Sequence, residues 1–322
     1  MRWLSVNQRT DLFVPRRRKG RDIDGILLLD KPEGISSNHA LRRVSRLLNA
    51  RKGGHTGSLD PLATGLLVLC FGRATRISEW LLGAEKTYLT TARLGITTAT
   101  GDREGETLSE RSVPNLSETQ IESVLKDFRG EQQQIPPMYS ALKHEGRRLY
   151  EMAREGVEVE RPPRDIIIHS LQLEEFGDNT LSLFVRCSKG TYIRTLVSDI
   201  GERLGCGAHV DTLRRVSLGP FEYPQMMELA ALEELATREG VSAVEELLQP
   251  IDAGLAGWPS VTIAANTVER FCQGQVVATD SVDAGALVRV HDEQGELLGM
   301  GEIQQELCVS PRRLLVQRSR QG

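Results

Sequence analysis

Gly53-Gly54-His55-Thr56-Gly57-Ser58-Leu59-Asp60-Pro61-Leu62-Ala63-Thr64-Gly65, running straight into Leu66-Leu67-Val68-Leu69-Cys70-Phe71, decides how this chain is read. The second half is a short unbroken apolar run, the pattern of a strand buried on both faces. The first half holds more special residues than a connection into a strand needs. Three glycines precede the acid, and glycine lets backbone approach a ligand closely. Pro61 pushes Asp60 out of helical geometry and fixes its direction. An Asp-Pro pair also makes an ordinary Asx turn, but the glycine clustering around it favours chemistry.

On the N-terminal side, Gly25-Ile26-Leu27-Leu28-Leu29 is a second apolar run, stopped by Asp30-Lys31-Pro32. Ser36 or Ser37 caps a helix in which Leu41, Val44, Leu47 and Leu48 recur at helical spacing. Its other face carries Arg42, Arg43 and Arg46, followed by Arg51 and Lys52, either a solvated face or a stripe for an anionic backbone. Residues 1–24 read as a basic, flexible leader containing Arg16-Arg17-Arg18-Lys19. On the C-terminal side a helix is expected over 75–82, then a strand over 86–94 with Tyr88, Thr90, Ala92 and Leu94 on one face. Ser117-x-x-Gln120 is a capping box that opens a helix with Ile121, Val124, Leu125 and Phe128 on its apolar side. Residues 131–165, with Pro136-Pro137 and Pro162-Pro163, form a long excursion of the kind that serves function. An alternating strand over 181–187 turns through Ser188-Lys189-Gly190 into a helix ended by Gly205. An acidic helical stretch covers 225–248, and short strands joined by hairpin turns follow from about 260, fitting a small appended β-barrel.

The 322 residues suit two domains, and 39% hydrophobic with 26% charged residues is ordinary for a globular chain. The formal charge of −4 argues against a nucleic-acid partner until its distribution is seen. Residues 1–54 carry +8, residues 221–310 carry −13, and 311–322 add four arginines without an acid. Arg2, Arg9 and Asp11 interrupt any signal-peptide core, and no apolar run is long enough to span a bilayer. The five widely spaced cysteines, with no Cys-x-x-Cys, read as small buried residues of a reducing cytoplasm. Six scattered histidines offer no zinc site. The glycine loop lacks the Lys-Ser/Thr of a P-loop, and Ser140-Ala141-Leu142-Lys143 stands without the companion motifs of a Ser-x-x-Lys hydrolase.

The Gly53–Gly65 stretch resembles the catalytic motif of the TruB family of pseudouridine synthases, which act on uridine 55 of tRNA. Five further segments resemble that family in order: Gly25 to Ser37, Lys86-Thr87-Tyr88, Gln134 to Lys143, Cys187 to Thr195, and Gly205 to Val210 with Leu213-Arg214-Arg215. The resemblance runs from about residue 24 to the end and implies an α+β fold. A mixed, largely antiparallel central sheet flanked by helices would form a catalytic domain over 25–250, with 131–165 an RNA-gripping insertion. A small C-terminal β-barrel, PUA-like and RNA-binding, would follow over 251–322. It implies an isomerase without cofactor or metal, a monomer in the cytoplasm, acting on the T-arm stem-loop of tRNA.

It further implies roles. Asp60 is the catalytic aspartate; its carboxylate traps an oxocarbenium-like sugar, attacks the uracil ring, or takes a ribose proton to give a glycal. Arg194 is its cationic partner. The target uridine must be flipped out of its stack. Tyr88 would stack on the flipped base and take the proton from its ring carbon, with Tyr192 and Leu213 beside it and His55 filling the vacated space. Lys31, Arg42, Arg43, Arg46 and Arg51 would meet phosphates, and Arg312, Arg313, Arg318 and Arg320 are the only candidates for this in the tail. Two other readings share these motifs: a tRNA-folding chaperone in which binding outweighs catalysis, and a guide-RNA-dependent synthase.

Overall fold

The computed structural model describes residues 20–280, 284–304 and 307–316. Most of the leader, including Arg16 to Lys19, lies outside the described residues, as do Arg318 and Arg320. A ten-stranded mixed sheet forms the body. Its main path runs Met227–Glu228, Gly25–Lys31, Thr64–Phe71, Ala208–Leu218, Lys86–Leu94, Thr180–Cys187, Arg164–Gly177 and Gly130–Gln134. Two pairings on this path are parallel, Gly25–Lys31 with Met227–Glu228 and Thr64–Phe71 with Ala208–Leu218; the rest are antiparallel.

The two apolar runs are central because both of their faces are covered. Ile26, Leu28, Leu66, Val68 and Cys70 face one core together with Ile77, Leu81 and Leu255. Leu27, Leu29, Leu67, Leu69 and Phe71 face another, under helix Ser37–Leu47 and helix Leu229–Glu239. This two-sided burial is why neither run alternates. In the other half of the sheet the strands do alternate. Tyr88, Ala92 and Leu94 point with Leu183 and Val185 toward helices Glu118–Asp127 and Ile193–Arg203.

Ser36 caps its helix through His39 N–H, and Ser117 and Gln120 form the reciprocal capping box read from sequence. The expected 75–82 helix is instead two pieces, a 3-10 turn Gly72–Arg76 and helix Ser78–Gly83, hinged at Ile77. Gly72 begins this with φ +54, and a Cβ there would lie 2.3 Å from the Ile23 carbonyl oxygen, so the chain turns where only glycine fits. The 131–165 excursion is anchored by strands. Arg164 pairs with Gln134, and the ladder continues to Ile168 with Gly130, leaving 135–163 as the protruding part. That part carries a hairpin, Lys143–His144 with Arg147–Arg148, and helix Leu149–Arg154.

The C-terminal sheet has five strands, ordered Ser260–Thr262, Leu287–His291, Leu297–Gln304, Cys308–Leu314 and Val277–Ala278. It curls into a half-barrel around Phe271, Val288, Val290, Ile303 and Val309, in keeping with a PUA-like unit. Its outer side is built into the body. Met300 and Leu315, both almost fully buried, belong to the Ile26–Leu66 core. Arg73 and Arg76 donate to the carbonyls of Leu315 and Leu314.

Candidate active site

The Gly53–Gly65 segment forms a short strand, Gly53–His55, and then a loop held from below by the first strand and its turn. Ser37, 2% exposed, accepts from Leu59 N–H at 2.8 Å and lies 3.1 Å from the Leu59 carbonyl. Gly34 N–H donates to the Pro61 carbonyl at 2.9 Å, and Ala63 N–H closes a turn on the Asp60 carbonyl at 3.1 Å. Lys31 is fully buried and donates to the carbonyls of Pro32, Ile35 and Pro61 at 2.7, 2.7 and 3.2 Å. The expectation that Lys31 meets phosphate is therefore corrected. Its ammonium is enclosed and spent on three carbonyl oxygens, so it fixes the Asp60 loop rather than reaching solvent. Burial lowers its pKa to about 8.

Asp60 points from this loop into a cavity of about 330 Å³ that contains Tyr88, Tyr192, Leu213, Arg194, Lys86 and Arg215 in its wall. That size lies at the small end of ligand sites. Arg194, in the first turn of helix Ile193–Arg203, grips the carboxylate with Nε at 2.8 Å from Oδ2 and Nη2 at 3.3 Å from Oδ1. The same guanidinium donates to the Thr100 carbonyl at 2.7 Å and, from the insertion, to the Tyr139 carbonyl at 2.7 Å. Only 4% of the Arg194 side chain is exposed, whereas 37% of the Asp60 side chain faces the cavity. Burial pushes the Asp60 carboxyl above the usual carboxylate range; Arg194, most of all, and Lys31 pull it back, while Asp102 adds to the rise.

Tyr88 sits on the inward face of the strand Lys86–Leu94, opposite Arg215 in register. Burial raises its phenol pKa, and the neighbouring Arg215 opposes this. Arg215 is 1% exposed and donates to the carbonyls of Leu66 at 2.7 Å and Gly57 at 3.1 Å, under the loop that presents Asp60. Tyr192 precedes the Arg194 helix. Its backbone N–H and carbonyl are both paired with the Gln134 side-chain amide, at 2.8 and 3.1 Å, which ties the root of the insertion to the cavity wall. His55 is half-buried at the edge of the segment, its pKa lowered by burial and by Arg215.

Asp60, Tyr88, Tyr192, Arg194 and Leu213 thus meet in one cavity, while the arginines of helix Ser37–Leu47 do not act alike. Arg42 and Arg46 are exposed. Arg43 is bidentate to Glu233, with Nε 2.8 Å from Oε1, pinning its helix to Leu229–Glu239; its expected phosphate contact is replaced by an internal partner. Arg51 is paired with Asp22, Arg312 with Glu302, and Arg313 lies over Trp80.

Three buried polar residues at the site were not assigned roles from sequence. Asp102, 4% exposed, lies 3.8 Å from Arg194 Nε and accepts from Thr100 Oγ1 at 2.5 Å. Like Asp60 it is an acid in a glycine-flanked turn, Gly101 to Gly105, which is the signal that could have found it. Arg215 is a cation buried within its strand, Ala208–Leu218, and Lys86, whose pKa burial lowers to about 8, caps the carbonyls of Leu82 and Ala84. Among the described residues no three His, Cys, Asp or Glu side chains are grouped to hold a metal, and no helix is long and apolar enough to cross a membrane.

The TruB family pseudouridylate synthase N-terminal domain matches residues 45–193. The tRNA pseudouridylate synthase B C-terminal domain matches 194–256, and the pseudouridine synthase II TruB C-terminal model matches 259–315. tRNA pseudouridine synthase B of Stutzerimonas stutzeri is 49% identical over 93% of this chain and 98% of its own length. The protein of the same name from Coxiella burnetii is 46% identical over 92% and 96%. A chain of the solved Cbf5-Nop10-Gar1 complex superposes with a TM-score of 0.71 at 26% identity, covering 91% of this chain and 85% of that one. Matched along nearly its whole length by these models and relatives, the chain belongs to the TruB family of pseudouridylate synthases.

Proposed function

We propose that the protein converts the T-loop uridine of tRNA, position 55, to pseudouridine with Asp60 as its catalytic carboxylate. The observation that carries this is the Asp60–Arg194 pair at 2.8 Å in the wall of a cavity that also holds Tyr88. The names of the similar bacterial proteins support tRNA as the substrate.

The reaction is an isomerisation, so nothing is added or lost. The bond from uracil N1 to ribose C1′ breaks, the base turns, and a bond from C5 to C1′ forms. C5 releases its proton and N1 ends protonated. An ionised Asp60 serves each of the three routes open to it, and Arg194 keeps it ionised in spite of its enclosure. The flipped base lies against Tyr88, with Tyr192 and Leu213 beside it. Tyr88, against the base, is the group placed to take the C5 proton; burial raises its phenol pKa, and the Arg215 guanidinium opposes that rise. His55, at the loop edge, fills the space the base leaves. Arg42 and Arg46, exposed on one helix, meet the RNA backbone. The insertion 135–163 closes over the stem-loop, tethered to Arg194 through the Tyr139 carbonyl. The half-barrel contributes modestly to RNA contact, since two of its four C-terminal arginines are already engaged within the protein.

Carbodiimide mapping of treated tRNA tests the assignment. The wild-type protein should produce a reverse-transcription block at position 55, and Asp60→Asn should lower the single-turnover rate by at least about a thousandfold with an unchanged melting curve. Equal rates for the two proteins would overturn the role of Asp60.

A further inference from the structure

A second cavity, of about 470 Å³, opens where helix Ser78–Gly83 meets the half-barrel, and is lined by Glu79, Trp80, Gly83, Ala84, Lys189 and Trp258. Two of the three tryptophans in the chain stand here, edge to face with ring centroids 6.1 Å apart, neither fully buried. The Arg313 guanidinium lies 5.5 Å over the Trp80 ring, with Glu79 3.7 Å from that guanidinium. Lys189, also in the lining, is exposed. The hydrophobic core accounts for part of both indoles, which pack against the Leu81 and Leu255 side, yet leaves an open notch beside them.

The lining of the notch adjoins that of the active-site cavity at two places along the chain. Lys189 is followed by Gly190, Thr191 and Tyr192, all in the wall of the Asp60 cavity, and Gly83 is preceded by Leu82, which also lines it. Two lining residues of this second recess, Gly83 and Lys189, are thus each one residue away from the wall of the cavity that would receive the nucleotide. Indole rings give a base a stacking surface, and lysine and arginine give its phosphate a counter-charge.

We propose that the Trp80–Trp258 notch holds a second unpaired base of the RNA substrate, stacked on indole, with the attached phosphate on Lys189. This rests on the RNA-modifying reading of the Asp60 cavity and adds a subsite to it. A base held there clamps the strand beside the flipped uridine, so its effect falls on affinity for loop RNA.

The experiment uses full-length protein and a tRNA T-arm stem-loop. A Trp3→Phe variant confines indole fluorescence to Trp80 and Trp258; saturating RNA should quench it. Lys189→Ala should raise Kd and KM several-fold and reduce the slope of log Kd against log salt by about 0.7. Trp258→Ala should raise Kd about tenfold, and Trp258→Phe, which keeps an aromatic face, should restore most of it. Abasic substitutions along the loop should reveal one nucleotide, other than the target, whose loss costs wild-type protein affinity but costs Trp258→Ala nothing further. Wild-type protein that binds and converts the stem-loop with no quenching, no abasic position of this kind and an unchanged Lys189→Ala Kd would overturn the notch alone. Failure of the wild-type protein to convert the stem-loop would overturn the function reading first.

Discussion

Replacing Arg194 by Gln tests the electrostatics of the site most directly. Arg194 supplies the main attraction that opposes the burial-driven rise in the Asp60 pKa. An opposite charge about 4 Å away at an effective dielectric near 20 is worth about 4 kcal/mol. With 37% of the Asp60 side chain exposed, solvent screening reduces this to about 2 kcal/mol. The sign is fixed by which form works. In the proposed reaction Asp60 works as the carboxylate, so the rate is full above its pKa and falls as pH drops through it. Removing the guanidinium raises that pKa further, and Asp102, left without the cation it shares, pushes in the same direction. The acid limb of the single-turnover rate against pH should therefore move to higher pH. Arg194→Lys, which keeps the charge without the two-pronged grip, should return the limb most of the way while leaving the plateau rate low. Mapping rates from pH 5 to 9 on a T-arm stem-loop decides it. An Arg194→Gln limb that coincides with wild type, however low its plateau, would mean that Arg194 only shapes the loop.

Other substitutions separate binding from architecture. Gly65 has φ +92, and an added Cβ would sit 2.2 Å from the Arg215 carbonyl oxygen, so Gly65→Ala should cost about 3 kcal/mol in urea melts; a loss below about 0.5 kcal/mol would show that the loop yields. Arg42→Ala and Arg46→Ala should each lower the salt slope of RNA binding by about one. Arg43→Ala should instead lower thermal stability slightly, by about 0.5–1 kcal/mol, because its guanidinium is held by Glu233. Equal salt slopes for the three variants would contradict that division. Charge changes are the better probe of the basic segment 1–54, since deleting 251–310 would strip Met300 from the core around Ile26 and Leu66.

Much of the fold is legible along the chain because it rests on local rules. Unbroken apolar runs at 25–29 and 66–71 announce strands covered on both faces, and alternation at 86–94 announces one covered differently. Ser36 and the Ser117–Gln120 pair announce helix starts through hydrogen bonds that close within one turn. Asp60 stood out because glycines and a proline surround it, a requirement written into neighbouring residues. The half-barrel was legible as short strands and turns, but not that Met300 and Leu315 complete the core of the larger sheet.

What charged side chains do was decided only by tertiary structure. Lys31, Arg42, Arg43 and Arg46 look equivalent in one dimension. Folded, Lys31 is enclosed by three carbonyls, Arg43 is matched to a carboxylate 190 residues away, and Arg42 and Arg46 remain at the surface. A charge acts through what lies within a few ångströms, and those neighbours come from distant segments. The same holds at the cavity, where Arg194 joins Asp60, Thr100 and Tyr139 from three separate stretches of chain. Sequence by itself determined that an aspartate is presented on a glycine-rich loop between buried strands, because backbone geometry and apolar burial are local demands. Which cations hold it, which brace the loop beneath it and which face solvent emerged only when the sheet brought residues 31, 60, 100, 194 and 215 together.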